Sequence, residues 1–224
     1  MSTRWKIIAV IFLLSALLGV FVFALKLNQP KRVLPIINPS QINPQLVDPD
    51  FQRTGRGHRV GNFDLIDHLG NSVDSSLVTN RIRIVEFFFT TCPSICKVMN
   101  DELLRVQEAF ANEDRLMILS HTVMPEVDDV ETLAAYASDK GIDANRWRLL
   151  TGEKTEIYRM AREAYFVAPE PKDEPVTQGD DHDFIHTENI ALVDERGRLR
   201  GFYDGTDSEE INQLMEDVRL LLGD

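Results

Sequence analysis

Cysteine is scarce in this chain. Only two of its 224 residues are cysteines, Cys92 and Cys96. This excludes a scaffold held together by several disulfides and a zinc site built from four cysteines. Two cysteines so close in sequence can form a disulfide, a redox couple or a metal site, so the residues around them must decide.

Basic residues are also in short supply, which excludes nucleic acid as a partner. The chain has 24 lysines and arginines against 36 aspartates and glutamates, a net charge of −12. Residues 1–32 hold five basic and no acidic residues, so the remainder has 19 against 36, or −17. A phosphate backbone needs a basic face. The acidic balance fits a domain that meets cations or basic proteins, and it is equally explained by solubility alone.

Charge is missing altogether from residues 7–25. This run of 19 residues has about the length needed to cross a hydrocarbon core of roughly 30 Å as a helix. Arg4 and Lys6 precede it, which predicts residues 1–6 in the cytoplasm. No A-x-A-like site ends the run, so we favour a retained transmembrane anchor over a cleaved signal. The lack of an Arg- and Ser-rich transit peptide predicts a bacterial inner membrane, with the domain facing the periplasm.

The rest of the chain divides into a proline-rich stretch and a globular part. Prolines recur every four or five residues between Asn28 and Asp50, which predicts an extended stalk over residues 26–57. Residues 58–224 form the predicted domain. Its pattern predicts a β-hairpin at 62–73, strands at 81–90, 115–123, 146–150, 187–194 and 199–203, and helices at 93–111, 128–140, 153–165 and 211–222.

This alternation predicts an α/β sandwich of the thioredoxin kind with an N-terminal β-hairpin, behind a single N-terminal transmembrane helix. Residues 167–185 form a long loop without periodicity, and loops of this length within a compact domain are often functional.

Cys92 and Cys96 lie between a predicted buried strand and the helix that follows it. Free backbone N–H groups and the helix dipole favour anions there, and both lower the pKa of a thiol. Residues i and i+4 are neighbours on a helix, so both sulfurs point toward one spot. Two soft sulfur ligands select Cu(I), and also zinc. A static structural disulfide is the alternative.

A metal site at this pair needs a third ligand. His186 is the best placed, because it ends the long loop and begins the next core strand. His182 is the nearest substitute. We interpret His121 as a packed or surface histidine and Met99 as core packing. The remaining candidates are His58 and His68.

Four sequence elements resemble the Sco/SenC family, copper proteins that help build the binuclear copper centre of cytochrome c oxidase. They are FxFTxCPxxC at residues 87–96, P-E-x-D at 125–128, W-x-L-L-T-G at 147–152 and the histidine before the I-x-L-V-D strand. The resemblance extends from about Gly61 to Leu222, nearly the whole predicted domain. A bare C-x-x-x-C is a weak signal, but in this combination it is specific.

The resemblance implies that Cys92, Cys96 and His186 bind both Cu(I) and Cu(II), and that the empty thiols can form a disulfide. The chain departs from the family at four positions, none of them a ligand: Phe88, Ser94, Lys97 and Met124 stand where Gly, Asp, Pro and Asp are usual. These departures bear on which partners dock.

We therefore predict a membrane-anchored copper chaperone that receives copper from an upstream donor and delivers it to cytochrome c oxidase subunit II. The alternative is an enzyme, a thiol–disulfide reductase that keeps the cysteines of that subunit reduced. Such reductases normally have C-x-x-C and a facing cis-proline, whereas here the spacing is three and His186 takes the place of the proline, which favours the chaperone. A copper or redox sensor is disfavoured, because about six residues precede the anchor.

Overall fold

The computed structural model describes residues 4–5, 12–21, 32–47, 57–168 and 187–223. The chain divides into two compact units, Met1–Val33 and Leu34–Asp224. In the first unit, residues 4–5 and 12–21 are helical. No helix in the described part of the chain has the length and apolar character that a membrane crossing requires. The predicted anchor at residues 7–25 falls partly outside the described residues and stays a prediction.

A mixed sheet organises the second unit. Its described strands are β1 (Asp64–Asp67), β2 (Ser72–Asp74), β3 (Ile82–Phe88), β4 (Leu116–Thr122), β5 (Trp147–Thr151), β6 (Asn189–Val193) and β7 (Leu199–Asp204), in the spatial order β2-β1-β5-β4-β3-β6-β7. Strands β3, β4 and β5 are parallel neighbours, and the outer pairings are antiparallel. Every residue of β3 and β4 is buried, as expected for central strands that helices cover on both faces.

The described α-helices of this unit are α1 (Ile95–Ala109), α2 (Val130–Lys140), α3 (Lys154–Arg159) and α4 (Ser208–Leu222). Short 3-10 turns occur at Pro39–Gln41, Pro44–Leu46 and Ser75–Val78. The side chain of Asp129 accepts a hydrogen bond from the backbone N–H of Thr132 and so caps α2. Gly141 ends α2 in the left-handed conformation that a glycine adopts without strain.

Side chains alternate between the two faces of the sheet and form two cores. On one face Ile84 and Phe88 of β3 pack with side chains of α1, α2 and α4. On the other face Val85 and Phe87 pack with the hairpin, α3 and the segment after it. The predicted α/β sandwich with its N-terminal hairpin is therefore confirmed, and the predicted elements are present with ends that shift by a few residues.

The helix predicted at 153–165 is present, but it changes type in its second half. The α-helix ends at Arg159, and Met160–Ala164 form a single π-helical turn, with the N–H of Tyr165 donating to the carbonyl of Met160 at 2.9 Å. The wider turn carries one extra residue. It brings Tyr165 and Phe166 into the core, where both are almost fully buried.

The stalk predicted at 26–57 is wrong for residues 34–47, which pack on the domain. Leu34, Ile42 and Val47 are buried. The guanidinium of Arg200 donates to the carbonyls of Leu34 at 2.5 Å and Pro35 at 2.8 Å. A proline-rich segment keeps its carbonyls free, and the buried arginine supplies the donors that they need. The domain boundary predicted at residue 58 therefore lies too late.

Candidate metal centre

Both cysteines lie where predicted, between the end of β3 and the first turn of α1. Cys92 is partly exposed and Cys96 is 5% exposed, and both are free thiols. The two thiols lie close enough to shift each other's pKa. Helix α1 begins at Ile95, two residues after the predicted start at Pro93, so that Cys92 remains on the loop. The i and i+4 relation on one helix therefore does not apply, and the meeting of both sulfurs at one spot stays a prediction.

The two thiols differ in acidity. Burial raises the pKa of Cys96 well above its usual range, and the hydrogen bond to Cys92 raises it further. Burial also opposes ionisation of Cys92, but hydrogen bonds from the Cys96 thiol and from the main chain of Ser94 and Cys96 outweigh it, so the pKa of Cys92 is lowered. Cys92 is therefore the first of the pair to ionise.

A buried carboxylate holds the loop that carries Cys92. Asp128 is fully buried, and it accepts hydrogen bonds from the backbone N–H of Thr90 at 3.1 Å and from its hydroxyl at 2.5 Å. The hydroxyl of Thr122, on β4, donates to the same carboxylate at 2.5 Å. Thr90 precedes Cys92 by two residues, so Asp128 fixes the loop against the neighbouring strand.

A second buried acid lies on the cysteine side of the sheet. Glu86 is 4% exposed, and in the alternation of β3 it shares a face with Ile84 and Phe88, which pack against α1. The hydroxyl of Ser120 donates to Glu86 at 2.5 Å, and the indole N–H of Trp147 donates to Ser120 at 2.7 Å. Burial raises the pKa of Glu86 to about 7.

Neither acid was predicted from sequence as part of the site. Glu86 carried a signal, because it is the one acidic residue in the apolar run of residues 81–90. The sequence pattern predicts that a helix begins at Asp128, whereas Asp129 caps that helix in the structure. Asp128 instead bonds to the cysteine loop.

His186, the predicted third ligand, and its substitute His182 lie outside the described residues. The prediction for Met99 is confirmed, since it is fully buried in the core behind α1. His121 is packed between aromatic rings, with Phe87 stacked at 4.9 Å between ring centroids. It is fully buried, and burial lowers its pKa to about 4. Its place beside Phe87 puts its ring on the face of the sheet opposite the cysteines.

The two other candidate histidines have structural roles. The Nε2 atom of His58 lies 2.8 Å from the carbonyl of Ala164. The Nδ1 atom of His68 accepts a hydrogen bond from the backbone N–H of Leu149 at 3.1 Å. Within the ranges that the structure describes, no three His, Cys, Asp or Glu side chains cluster so as to hold a metal ion. The described part of the site is thus the pair of thiols and the loop that positions them.

Comparison with known proteins gives one consistent family. A family model described as SCO1/SenC matches residues 51–223. The SCO1 protein homolog of Bacillus subtilis is 26% identical over 165 residues, covering 72% of this chain and 82% of that protein. The mitochondrial SCO2 homolog of Mus musculus is 30% identical over 166 residues, 71% of this chain. This chain spans only 60% of that mouse protein's length.

Solved structures share the fold. BsSco, a member of the Sco family of cytochrome c oxidase assembly proteins in which a disulfide switch was identified, has a TM-score of 0.60 at 23% identity, covering 74% of this chain and 94% of its own. Yeast Sco1 with copper bound has a TM-score of 0.55 at 23% identity, covering 73% of this chain and 90% of its own. At such identities the likeness establishes the thioredoxin-like α/β fold alone.

Proposed function

The chain belongs to the SCO1/SenC family, and on that premise we propose that it binds copper through Cys92, Cys96 and His186 and delivers the metal to the binuclear copper centre of cytochrome c oxidase subunit II. An upstream copper donor would load it. Copper is here the cargo of the protein.

The observation that carries this proposal is the pair of adjacent free thiols on a fixed loop. The two thiols shift each other's pKa, which supports one ion bound by both sulfurs. Soft thiolate ligands favour Cu(I). The partial exposure of Cys92 leaves one ligand open to an incoming thiolate, which is the geometry that ligand exchange with a recipient needs.

His186 completes the proposed ligand set. Thr187, the next residue, is buried and leads directly into β6, the strand that pairs with β3. This supports a histidine that the sheet brings toward the cysteine side. An imidazole suits Cu(II) more than Cu(I). We therefore assign to His186 chiefly the retention of Cu(II).

We further propose that residues 7–25 anchor the protein in a bacterial inner membrane, with the domain on the periplasmic side. The uncharged run of 19 residues and the preceding Arg4 and Lys6 support this topology. An anchor keeps donor and recipient on one membrane surface. Fractionation of cells that produce the full chain, followed by protease digestion from the periplasmic side, tests it.

The decisive experiment is an anaerobic Cu(I) titration of the reduced full chain in detergent, following thiolate-to-copper charge-transfer absorption. We expect one copper per chain, lost in Cys92→Ser and Cys96→Ser. His186→Ala should keep Cu(I) binding in weakened form and lose most Cu(II) binding. Thr91→Ala, an exposed position on the same loop, is the matched control. Unchanged copper stoichiometry and absorption in the His186 variant would reject this ligand assignment.

One observation favours a second function, reduction of the recipient's cysteines. The pKa of the more exposed Cys92 is lowered and that of buried Cys96 is raised. This asymmetry suits a dithiol in which one sulfur attacks and the other resolves the mixed disulfide. Rapid disulfide exchange with an oxidised subunit II fragment, together with no tight copper binding, would favour this function.

A further inference from the structure

Glu86 is a carboxylic acid buried on the cysteine side of the sheet. Among the residues that the structure describes, its side chain accepts one hydrogen bond, from the hydroxyl of Ser120 at 2.5 Å. No ion pair reaches it within the described part of the chain, and its ionisation is governed by burial and by that hydroxyl. A buried carboxylate with one neutral donor is costly to keep charged.

The titratable groups that face Glu86 belong to the candidate site. Cys92, Cys96 and Tyr136 pack in one core cluster with Ile84 and Phe88, the residues on either side of Glu86 on its face of β3. No hydrogen bond joins Glu86 to either thiol. His121, on the adjacent strand, turns its ring to the opposite face. β6 and α4 contribute apolar side chains to this face, among them Ile190, Leu192 and Leu214.

The charge of the loaded site depends on the metal. Two thiolates and one Cu(I) ion carry a net charge of −1, and a neutral imidazole does not change it. Two thiolates and one divalent ion carry no net charge. Charges of the same sign repel strongly where water is largely excluded. A carboxylate at Glu86 therefore opposes a monovalent metal at the cysteines far more than it opposes a divalent one.

We propose that Glu86 is the charge-compensating residue of this site: its carboxylate takes up a proton when the cysteine pair holds a monovalent metal ion and releases it when that ion leaves. The inference rests on the proposed copper function and deepens it. Loading Cu(I) removes one proton from each thiol. One of these protons passes to Glu86 and the other to solvent, and nothing is oxidised or reduced.

The consequence is a pH-dependent choice between monovalent and divalent metals. Because the pKa of Glu86 lies at about 7 in the empty protein, both of its forms are populated near neutrality. Both kinds of metal displace protons from the thiols, but only the monovalent one adds a proton to Glu86. The affinity for Cu(I) relative to Zn(II) should therefore rise as the pH falls through this range.

The test counts protons released per metal bound by the reduced full chain under anaerobic conditions, with a pH indicator in weak buffer, from about pH 6 to about pH 9. The variant is Glu86→Gln, and the matched control is Glu108→Gln, the same change at an exposed site on α1. Wild type and Glu108→Gln should release fewer protons per Cu(I) than Glu86→Gln, by up to about one proton between about pH 7 and about pH 8. With Zn(II) this difference should disappear.

Ser120→Ala provides a second variant that keeps the carboxyl group. The Ser120 hydroxyl stabilises the charged form of Glu86, so its loss should move the window of proton uptake to higher pH. Equal proton release by wild type and Glu86→Gln at every pH, with one Cu(I) bound to each, would refute the proposed role of Glu86 and leave the copper function intact. A chain that shows no Cu(I) absorption at all would refute the copper function and this role with it.

Discussion

Substitution of Asp128 is the sharpest test of how the fold holds the cysteine loop. Asp128→Ala removes the acceptor of three hydrogen bonds, two from Thr90 and one from Thr122. Hydrogen bonds to a charged acceptor each contribute about 1.5 kcal/mol. Thr90 is partly exposed, so water replaces some of this, and we expect a loss of about 3 kcal/mol in the free energy of unfolding. Asp128→Asn keeps one acceptor oxygen and should lose about 1 kcal/mol.

The loss should extend to metal binding, because Thr90 precedes Cys92 by two residues. Freeing this short loop adds conformational entropy that metal binding must then remove, about 1 kcal/mol for each residue. Since about 1.4 kcal/mol corresponds to a tenfold change in affinity, Cu(I) should bind roughly tenfold to a hundredfold more weakly to Asp128→Ala.

Urea unfolding followed by circular dichroism measures the stability, and competition with a Cu(I) chelator measures the affinity. Asp129→Ala is the matched control, because the adjacent exposed carboxylate caps α2 and does not contact the loop. It should lose about 1 kcal/mol of stability and keep its Cu(I) affinity. The reasoning would be refuted if Asp128→Ala bound Cu(I) as tightly as the control.

Three further predictions concern other parts of the domain. Burial lowers the pKa of His121 from 6.5 to about 4. Between these two pH values the unfolded state binds a proton that the folded state excludes, so the free energy of unfolding decreases as the pH is lowered. His121→Leu should remove roughly 3 kcal/mol of that decrease, measured by urea unfolding at the two pH limits, and an unchanged acid dependence would contradict it. Arg200→Lys keeps the positive charge but loses the planar guanidinium that donates to the carbonyls of Leu34 and the next residue. We expect the free energy of unfolding to fall by about 2 kcal/mol and amide hydrogen exchange around Leu34 to become faster. Unaltered exchange would refute the role of Arg200 in holding this segment on the domain. Iodoacetamide should modify Cys92 before Cys96, as peptide mass spectrometry will show, and the reverse order would contradict their assigned acidities.

Local pattern was sufficient to predict the sheet and the helices of the domain. The β-branched and aromatic run that became β3 and the glycine that follows α2 act over a few residues, so their outcome does not depend on distant partners. The π-helical turn after Arg159 was missed, because the burial of Tyr165 that accompanies it depends on the opposite layer of the sandwich.

The segment at residues 34–47 shows where composition misled. Its spaced prolines are typical of an extended linker, but the segment contains two 3-10 turns and buries Leu34, Ile42 and Val47. Composition does not show whether such a segment is free or docked. Docking depends here on Arg200, which lies 166 residues from Leu34 along the chain and places its guanidinium against the segment's carbonyls.

By itself the sequence determined the alternation of strands and helices and the placement of two thiols at a strand-to-helix junction, because hydrophobic periodicity is a property of neighbouring residues. Only the tertiary structure decided which acidic residues lie beside that junction or hold its loop. Asp128 is 38 residues from Thr90, and Glu86 is 34 residues from Ser120. The burial of a carboxyl group and the donors that it meets arise from the packing of β3, β4 and α1, which no local pattern contains.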